Sequence, residues 1–306
     1  FAVAITLALG FMGSMVQSNS IGSTFDTAFG VPSWAVGLVI AAISAFIFLG
    51  GLNRIAAVTE KIVPIMALLY IIGGLVIICA RIKYIPETFA MIFKYAFMPQ
   101  AIIGGSVGYA LKTAISQGAK RGLFSNEAGM GSAPNAAATA TVSHPVKQGL
   151  IQALSVFTDT LIICSCTALI ILLSDVPLDG SVKVQLTQMA LSHQIGSVGG
   201  QFIAICILLF AFSSIVGNYS YCETNLFFIS KNKTYLQLYR IIVGGMVMFG
   251  SIAALDLVWN IADLFMAIMA ITNLIAIVLL GKIALKALQD YNRQRRIRKK
   301  NIIFKS

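Results

Sequence analysis

Between Gly122 and Pro134 the chain runs Gly-Leu-Phe-Ser-Asn-Glu-Ala-Gly-Met-Gly-Ser-Ala-Pro, so glycines, a proline, an asparagine and a glutamate interrupt an otherwise apolar sequence. Gly129 and Gly131 weaken a helix through their backbone freedom, and Pro134 has no N–H to donate to one. A bilayer offers freed backbone groups no partners, so such a segment survives only inside protein or along a polar cavity. A bilayer is the relevant solvent here. Of the 306 residues 58% are hydrophobic and 11% charged, and the mean hydropathy is +0.87. Repeated long apolar runs predict an all-α polytopic membrane protein and exclude a soluble domain.

At roughly 20 residues per crossing, the breakers divide the chain into about eight spans. The first covers 1–21 and ends at the polar stretch Gln17-Ser-Asn-Ser20, the second covers 33–52, and the third covers 62–80 between Lys61 and Arg81. Residues 86–97 are amphipathic and too short to span, which predicts an interfacial helix. The fourth run, 101–141, is too long for one crossing, and the break divides it into a spanning half and a short alanine-rich half over 133–140. After a turn at Ser143-His-Pro-Val-Lys147, the fifth span covers 149–173. A loop with Asp175, Pro177, Asp179 and Lys183 follows, with a short helix near 186–191. The sixth span covers 199–229 and the seventh 235–252. The last region, 256–288, exceeds a single simple helix and predicts a kink or a preceding re-entrant segment.

The net charge of +11 does not point to nucleic acid, because nine of the 22 Lys and Arg lie from Lys282 onward. A basic run beyond the last apolar helix reads as a cytoplasmic C-terminus. The chain therefore divides into a transporter-like core over 1–290 and a basic tail over 291–306. It opens on Phe1 inside an apolar run, without a signal-peptide pattern, which is the expectation for a sequence that begins partway through a longer protein.

A broken helix near the membrane midplane is the sequence mark of a substrate site in secondary transporters. Its free amides suit a carboxylate, and its free carbonyls suit an ammonium or a sodium ion. Glu127 lies inside the break and has two readings: a cation or gating group, or a structural acceptor clamping the backbone to Lys120 or Arg121. In the sixth span Ser213 and Ser214 either bond back to the carbonyl one turn earlier or offer oxygens to a hard cation, and Gly217 beside them permits close helix approach. Gln17 and Asn19 can bond a carboxylate or join two helices. For Asp159, Thr160 and Asp263 the reading is hydrogen bonding between helices. Cys79, Cys164, Cys166, Cys206 and Cys222 read as small apolar packers, and no metal site is expected at His144 or His193. No catalytic constellation appears, so no enzyme and no cofactor is expected.

Arg121-Gly-Leu-Phe-Ser-Asn-Glu-Ala-Gly-Met-Gly-Ser-Ala-Pro134 resembles the alanine or glycine:cation symporters, the prokaryotic sodium:alanine symporter family. Met15-Val-Gln-Ser-Asn-Ser20, Gly50-Gly-Leu-Asn-Arg-Ile55, Val63-Pro-Ile-Met66, His144-Pro-Val-Lys-Gln-Gly149, Phe157-Thr-Asp-Thr160, Phe210-Ala-Phe-Ser-Ser214 and Trp259-Asn-Ile-Ala-Asp263 extend the resemblance over the chain up to the tail. The resemblance implies a leucine-transporter-type inverted-repeat fold, of which this chain holds core helices three to ten. It implies Na⁺ as coupling ion, a small neutral amino acid (alanine or glycine, with serine or glutamine open) as substrate, and the cytoplasmic membrane of a prokaryote as location.

By the same resemblance Gln17, Phe124, Ser125, Asn126, Ala128, Ser214 and Asn218 contact substrate. The Phe210 carbonyl, Ser213 and Ser214 resemble sodium ligands, and Glu127, Gly129 and Gly131 belong to the moving break. The chain departs from the family at Asn218, where tryptophan is usual, at Ser213-Ser214, usually Thr-Thr, and at Thr272, usually proline. A proton-coupled carrier of the same fold and a non-transporting amino-acid sensor are the alternatives.

Overall fold

A computed structural model describes residues 1–97, 107–174, 176, 185–298 and 304, and the described residues are helical almost throughout. The helices in chain order are α1 (Ala2–Phe29), α2 (Ser33–Leu49), α3 (Gly51–Ala80), α4 (Ile85–Phe97), α5 (Val107–Asn126) and α6 (Ser132–Ala138). They continue with α7 (Pro145–Leu172), α8 (Leu186–Ile195), α9 (Ser197–Ile229), α10 (Lys233–Ile252) and α11 (Leu255–Arg298). Among the described residues six of them, α1, α3, α7, α9, α10 and α11, are long and apolar enough to cross a membrane. The sequence expectation was about eight spans. Of the remainder, α2 has 17 residues and rises only about 26 Å, short of a hydrocarbon core of roughly 30 Å. The other, α5, carries Lys112, Lys120 and Arg121, heavy charge for a lipid-facing run.

Three boundaries differ from the sequence expectation, each for a local reason. Helix α1 does not stop at its polar stretch, because the hydroxyls turn back onto their own helix. Ser20 donates to the Val16 carbonyl at 2.9 Å, Thr24 to Ser20 at 2.8 Å and Thr27 to Ser23 at 2.9 Å. The helix ends at Gly30, whose φ of 67° is a left-handed cap, and Pro32 follows. Helix α3 starts at Gly51, not near 62, and carries Pro64 inside its 30 residues. Helix α11 is continuous over 44 residues, without the preceding re-entrant segment that was one of the two alternatives expected. At 1.5 Å per residue it is about 66 Å long, so its basic end extends well past one hydrocarbon core. Its last half-turns are built from Ala, Leu, Lys, Gln and Arg, which hold a helix outside the apolar region. The expected loop around 175–183 and the tail from Lys299 onward lie outside the described residues, apart from Val176 and Phe304.

Helix α9 is the axis of the packing. One core joins α1, α2, α9, α10 and α11 around Ile5, Met15, Phe48, Ile215 and Met269, and a second joins α3, α7, α8 and α9 around Tyr70, Ile170, Leu191 and Ile203. Helices α1 and α10 lie nearly backbone to backbone: a Cβ added to Gly250 would stand 2.6 Å from the Met15 backbone. Asn19 donates to the carbonyls of Gly250 and Ala253, both at 2.8 Å, closing the end of α10. Of its two readings, the helix-joining one is the geometry seen.

Candidate functional site

The break adopts the unwound form its residues dictate. Between α5 and α6, Glu127, Gly129 and Gly131 have φ of 49°, 84° and 97°, and Glu127 is the only non-glycine at positive φ among the described residues. Glycine at 131 is required twice over. Its φ is left-handed, and a Cβ there would stand 2.5 Å from the Phe1 ring and 2.9 Å from Asn273. Neutral amides hold the freed carbonyls: Asn273 of α11 donates to Gly129 O at 2.8 Å and Asn135 to Gly131 O at 2.9 Å. Asn225 of α9 donates to the Asn135 side-chain oxygen at 2.7 Å, fastening α6 to α9.

Beside the break lies a cavity of about 130 Å³, walled by Leu9, Gly13 and Gln17 of α1, Phe124 and Ser125 of α5, Glu127 and Met130 of the break, Ser214 and Asn218 of α9, and Met266 of α11. Of the residues singled out in the sequence, the wall therefore brings together Gln17, Phe124, Ser125, Glu127, Ser214 and Asn218. Asn126 and Ala128 stand off it. Asn126 accepts from the Thr160 hydroxyl at 2.9 Å, and Ala128 is exposed. Leu9, Gly13, Met130 and Met266 were not singled out, because apolar residues in apolar helices carry no signal of which face meets a cavity.

Two helices carry π-helical turns, α1 of the wall at Thr6–Gly13 and its neighbour α7 at Asp159–Cys164. Such wide turns re-aim side chains and concentrate at functional positions. The first contains Leu9 and Gly13; the second sets Asp159, which accepts from the Ser125 hydroxyl at 2.8 Å and fixes Ser125 at the edge of the cavity. Close approach of α1 to α9 is granted by glycines of α1. A Cβ at Gly13 would stand 2.9 Å from the Asn218 amide nitrogen, whereas Gly217, the glycine expected to serve this role, faces open space.

On α9 the Phe210 carbonyl accepts from Ser213 at 2.9 Å and from Ser214 at 3.0 Å. Three oxygens thus converge within one turn, the donor chemistry a hard monovalent cation takes. Only Ser214 of the three reaches the cavity wall; Ser213 also faces the Met66 sulfur of α3 at 3.5 Å.

The expected clamp from Glu127 to Lys120 or Arg121 is not formed. Both cations turn to Asp263 of α11, at 3.6 and 3.4 Å, and the Arg121 guanidinium lies 4.7 Å from the Trp259 ring centre. Asp263 thereby exceeds the helix-to-helix hydrogen bond expected of it. The reason is distance along the helix: α5 places its basic residues on the face toward α11, and Trp259, which also meets Phe124 at 5.2 Å, completes that seam.

Sequence comparison extends over the whole chain. A family model described as the sodium:alanine symporter family matches residues 1–305. The amino-acid carrier protein AlsT of Bacillus subtilis (strain 168) is 51% identical over 296 residues, covering 97% of this chain and 63% of AlsT. The probable sodium/glutamine symporter GlnT of the same organism is 49% identical over 306 residues, covering 100% of this chain and 63% of GlnT. The sodium/alanine symporter AgcS of Methanococcus maripaludis is 37% identical over 294 residues, covering 95% of this chain and 64% of AgcS. The chain spans 63–64% of the length of these relatives.

Proposed function

The chain belongs to the sodium:alanine symporter family, and from that premise we propose that the protein takes up a small neutral amino acid by coupling it to sodium. The observation that carries this reading is the cavity at the break, where unwound backbone meets Gln17, Ser125, Ser214 and Asn218. The fold on this reading is the leucine-transporter type. Helices α1, α2 and α3 are core helices three to five, α5 with α6 is the broken sixth, and α7, α9, α10 and α11 are the seventh to tenth. The protein sits in the cytoplasmic membrane of a prokaryote, with the basic end of α11 in the cytoplasm.

The chemistry follows from the groups on the wall. Gln17 bonds the substrate carboxylate, and Phe124 bounds its side chain. The backbone at Ser125 faces the ammonium. Sodium is held by the Phe210 carbonyl with Ser213 and Ser214, whose hydroxyls rotate from that carbonyl to the ion. Ser214 lies between ion and substrate, so each stabilises the binding of the other. Gly129 and Gly131 give the break its freedom, and Glu127 moves with them. Occupancy of both sites favours closure and the turn to an inward-facing state, release, and return of the empty carrier.

The substrate is alanine or glycine, with serine and glutamine admitted by Asn218, whose amide is smaller and more polar than an indole. The deciding experiment is uptake of radiolabelled alanine into proteoliposomes holding the full-length protein, with and without an inward sodium gradient. Sodium-driven accumulation, blocked by excess unlabelled alanine, serine or glutamine in a measurable order, is the expected result. Accumulation that follows a pH gradient with no sodium present overturns the coupling, and binding without accumulation overturns transport.

A further inference from the structure

Among the described residues the cavity wall carries a single ionisable side chain, Glu127. A charge at membrane depth is costly unless paired or solvated, and one retained there is usually functional. The cations nearest to hand are engaged elsewhere. Lys120 and Arg121, the cations nearest in sequence, pair with Asp263, and Arg240 on α9's neighbour pairs with Glu223 at 3.2 Å. No Lys, Arg or His pairs with Glu127 among the described residues.

Within the break the Glu127 carboxylate has a neutral donor beside it, the Ser132 hydroxyl, which leaves its charge uncompensated. Asn273 and Asn135 satisfy Gly129 and Gly131, and the Met130 N–H turns back to the Glu127 main-chain carbonyl at 3.3 Å. The position is also unfavourable for glutamate as backbone. At φ 49° glycine or asparagine sits with less strain. Strain accepted at a non-glycine residue, on the wall of a cavity, is the pattern of a side chain kept for its chemistry.

We propose that the Glu127 carboxylate is the counter-charge of the coupling sodium ion. This rests on the symport reading. A zwitterionic amino acid brings no net charge and cannot neutralise Glu127, whereas one sodium ion does. With Glu127 ionised, one sodium and one neutral amino acid load the cavity to zero net charge. Such a loaded site crosses the low-dielectric part of the transport cycle far more readily than a charged one. The Ser214 hydroxyl and Phe210 carbonyl are neutral ligands and give the ion its coordination; Glu127 gives the site its charge.

The test uses the full-length protein and its Glu127→Gln variant, with two readouts. Thermal melts in detergent compare NaCl with KCl, and proteoliposome uptake gives the sodium concentration for half-maximal rate. Loss of the carboxylate is expected to raise that concentration about tenfold or more and to abolish the sodium-specific rise in melting temperature. A variant with an unchanged sodium requirement and an unchanged melt shift overturns the proposal. Should the variant not fold, wild-type protein carries the test: a hydrophobic carbodiimide labels Glu127, read by mass spectrometry, and sodium but not potassium should slow that labelling. Labelling indifferent to sodium overturns the proposal. A sodium-specific melt shift that needs Glu127, without any amino-acid uptake, keeps the cation site and sinks the symport reading alone.

Discussion

The Ser214 hydroxyl reaches the cavity wall and donates to the Phe210 carbonyl at 3.0 Å, and the proposed function makes it the atom shared by ion and substrate. Ser214→Ala removes that oxygen and changes little else, since the backbone and the Ser213 bond remain. A hydrogen bond or ligand to a charged group is worth about 1.5–3 kcal/mol. The half-saturating sodium concentration should therefore rise about tenfold or more, measured as initial uptake rate against sodium. An unchanged value would remove Ser214 from the ion site. Asn218 offers a different test, because its side chain lies against Gly13 and faces a cavity of about 130 Å³. Asn218→Trp fills part of that space and should shift competition toward glycine and alanine over glutamine. A competition profile that keeps its order would show that Asn218 does not set substrate size. Gly131 is a third residue-scale case. Gly131→Ala meets the Phe1 ring and Asn273 at a left-handed φ, and should lower stability by about 1–3 kcal/mol in thermal melts.

At the scale of elements, α9 and α10 are fastened by charge as well as by packing. Arg240 donates to the Tyr219 hydroxyl at 2.8 Å and to Glu223 at 3.2 Å, while Tyr219 stacks on Phe48 with ring centres 3.8 Å apart. Glu223 is nearly fully buried and its second carboxylate oxygen has no partner. Removing Arg240 leaves Glu223 as an uncompensated buried charge, which typically costs about 3–5 kcal/mol, and removing Glu223 strands a partly buried guanidinium at a smaller cost. Glu223→Gln and Arg240→Met should each lower the melting temperature markedly. The double variant should recover much of the loss, as a double-mutant cycle on thermal melts would report. Equal and additive losses would mean the pair contributes no mutual stabilisation.

Across the whole molecule, α9 belongs to both apolar cores and separates the α1–α10–α11 side from the α3–α7–α8 side. Opening either core exposes α9 only in part. Its amides around Ile215 and Val216, both fully buried, should therefore exchange slowest of those in the described residues. The distal part of α11, where Ile283, Leu285 and Ile297 stand exposed, should exchange fastest among the long helices. Hydrogen exchange read by mass spectrometry in a lipid nanodisc checks both. An α11 end as protected as α9 would mean that something covers it. The break between α5 and α6 is fastened to two different helices, by Asn273 of α11 and by Asn225 of α9 through Asn135. Any movement of α9 against α11 therefore pulls directly on the cavity wall, the mechanical link that the proposed alternating access would use.

The sequence by itself determined the helices and the break. Apolar runs of helix length leave a membrane chain no other way to satisfy its backbone, and Gly129 and Gly131 take left-handed φ that end a regular helix, while Pro134 falls in the first turn of the next, where its missing N–H costs nothing. The motif around Ser125–Gly129 also told where the cavity would be, and most of the polar residues singled out do meet there. What it did not determine was partnership. Lys120 and Arg121 lie seven and six residues from Glu127 along the chain, yet they pair with Asp263 on α11, because a helix face and not sequence distance decides which charges meet. The polar end of the first span stayed helical because its hydroxyls found carbonyls one turn back, an outcome that hydropathy alone does not encode. The apolar wall, Leu9, Met130 and Met266, was invisible for the same reason. In a chain that is apolar nearly everywhere, only the packing of helices decides which apolar side chain faces lipid, core or cavity.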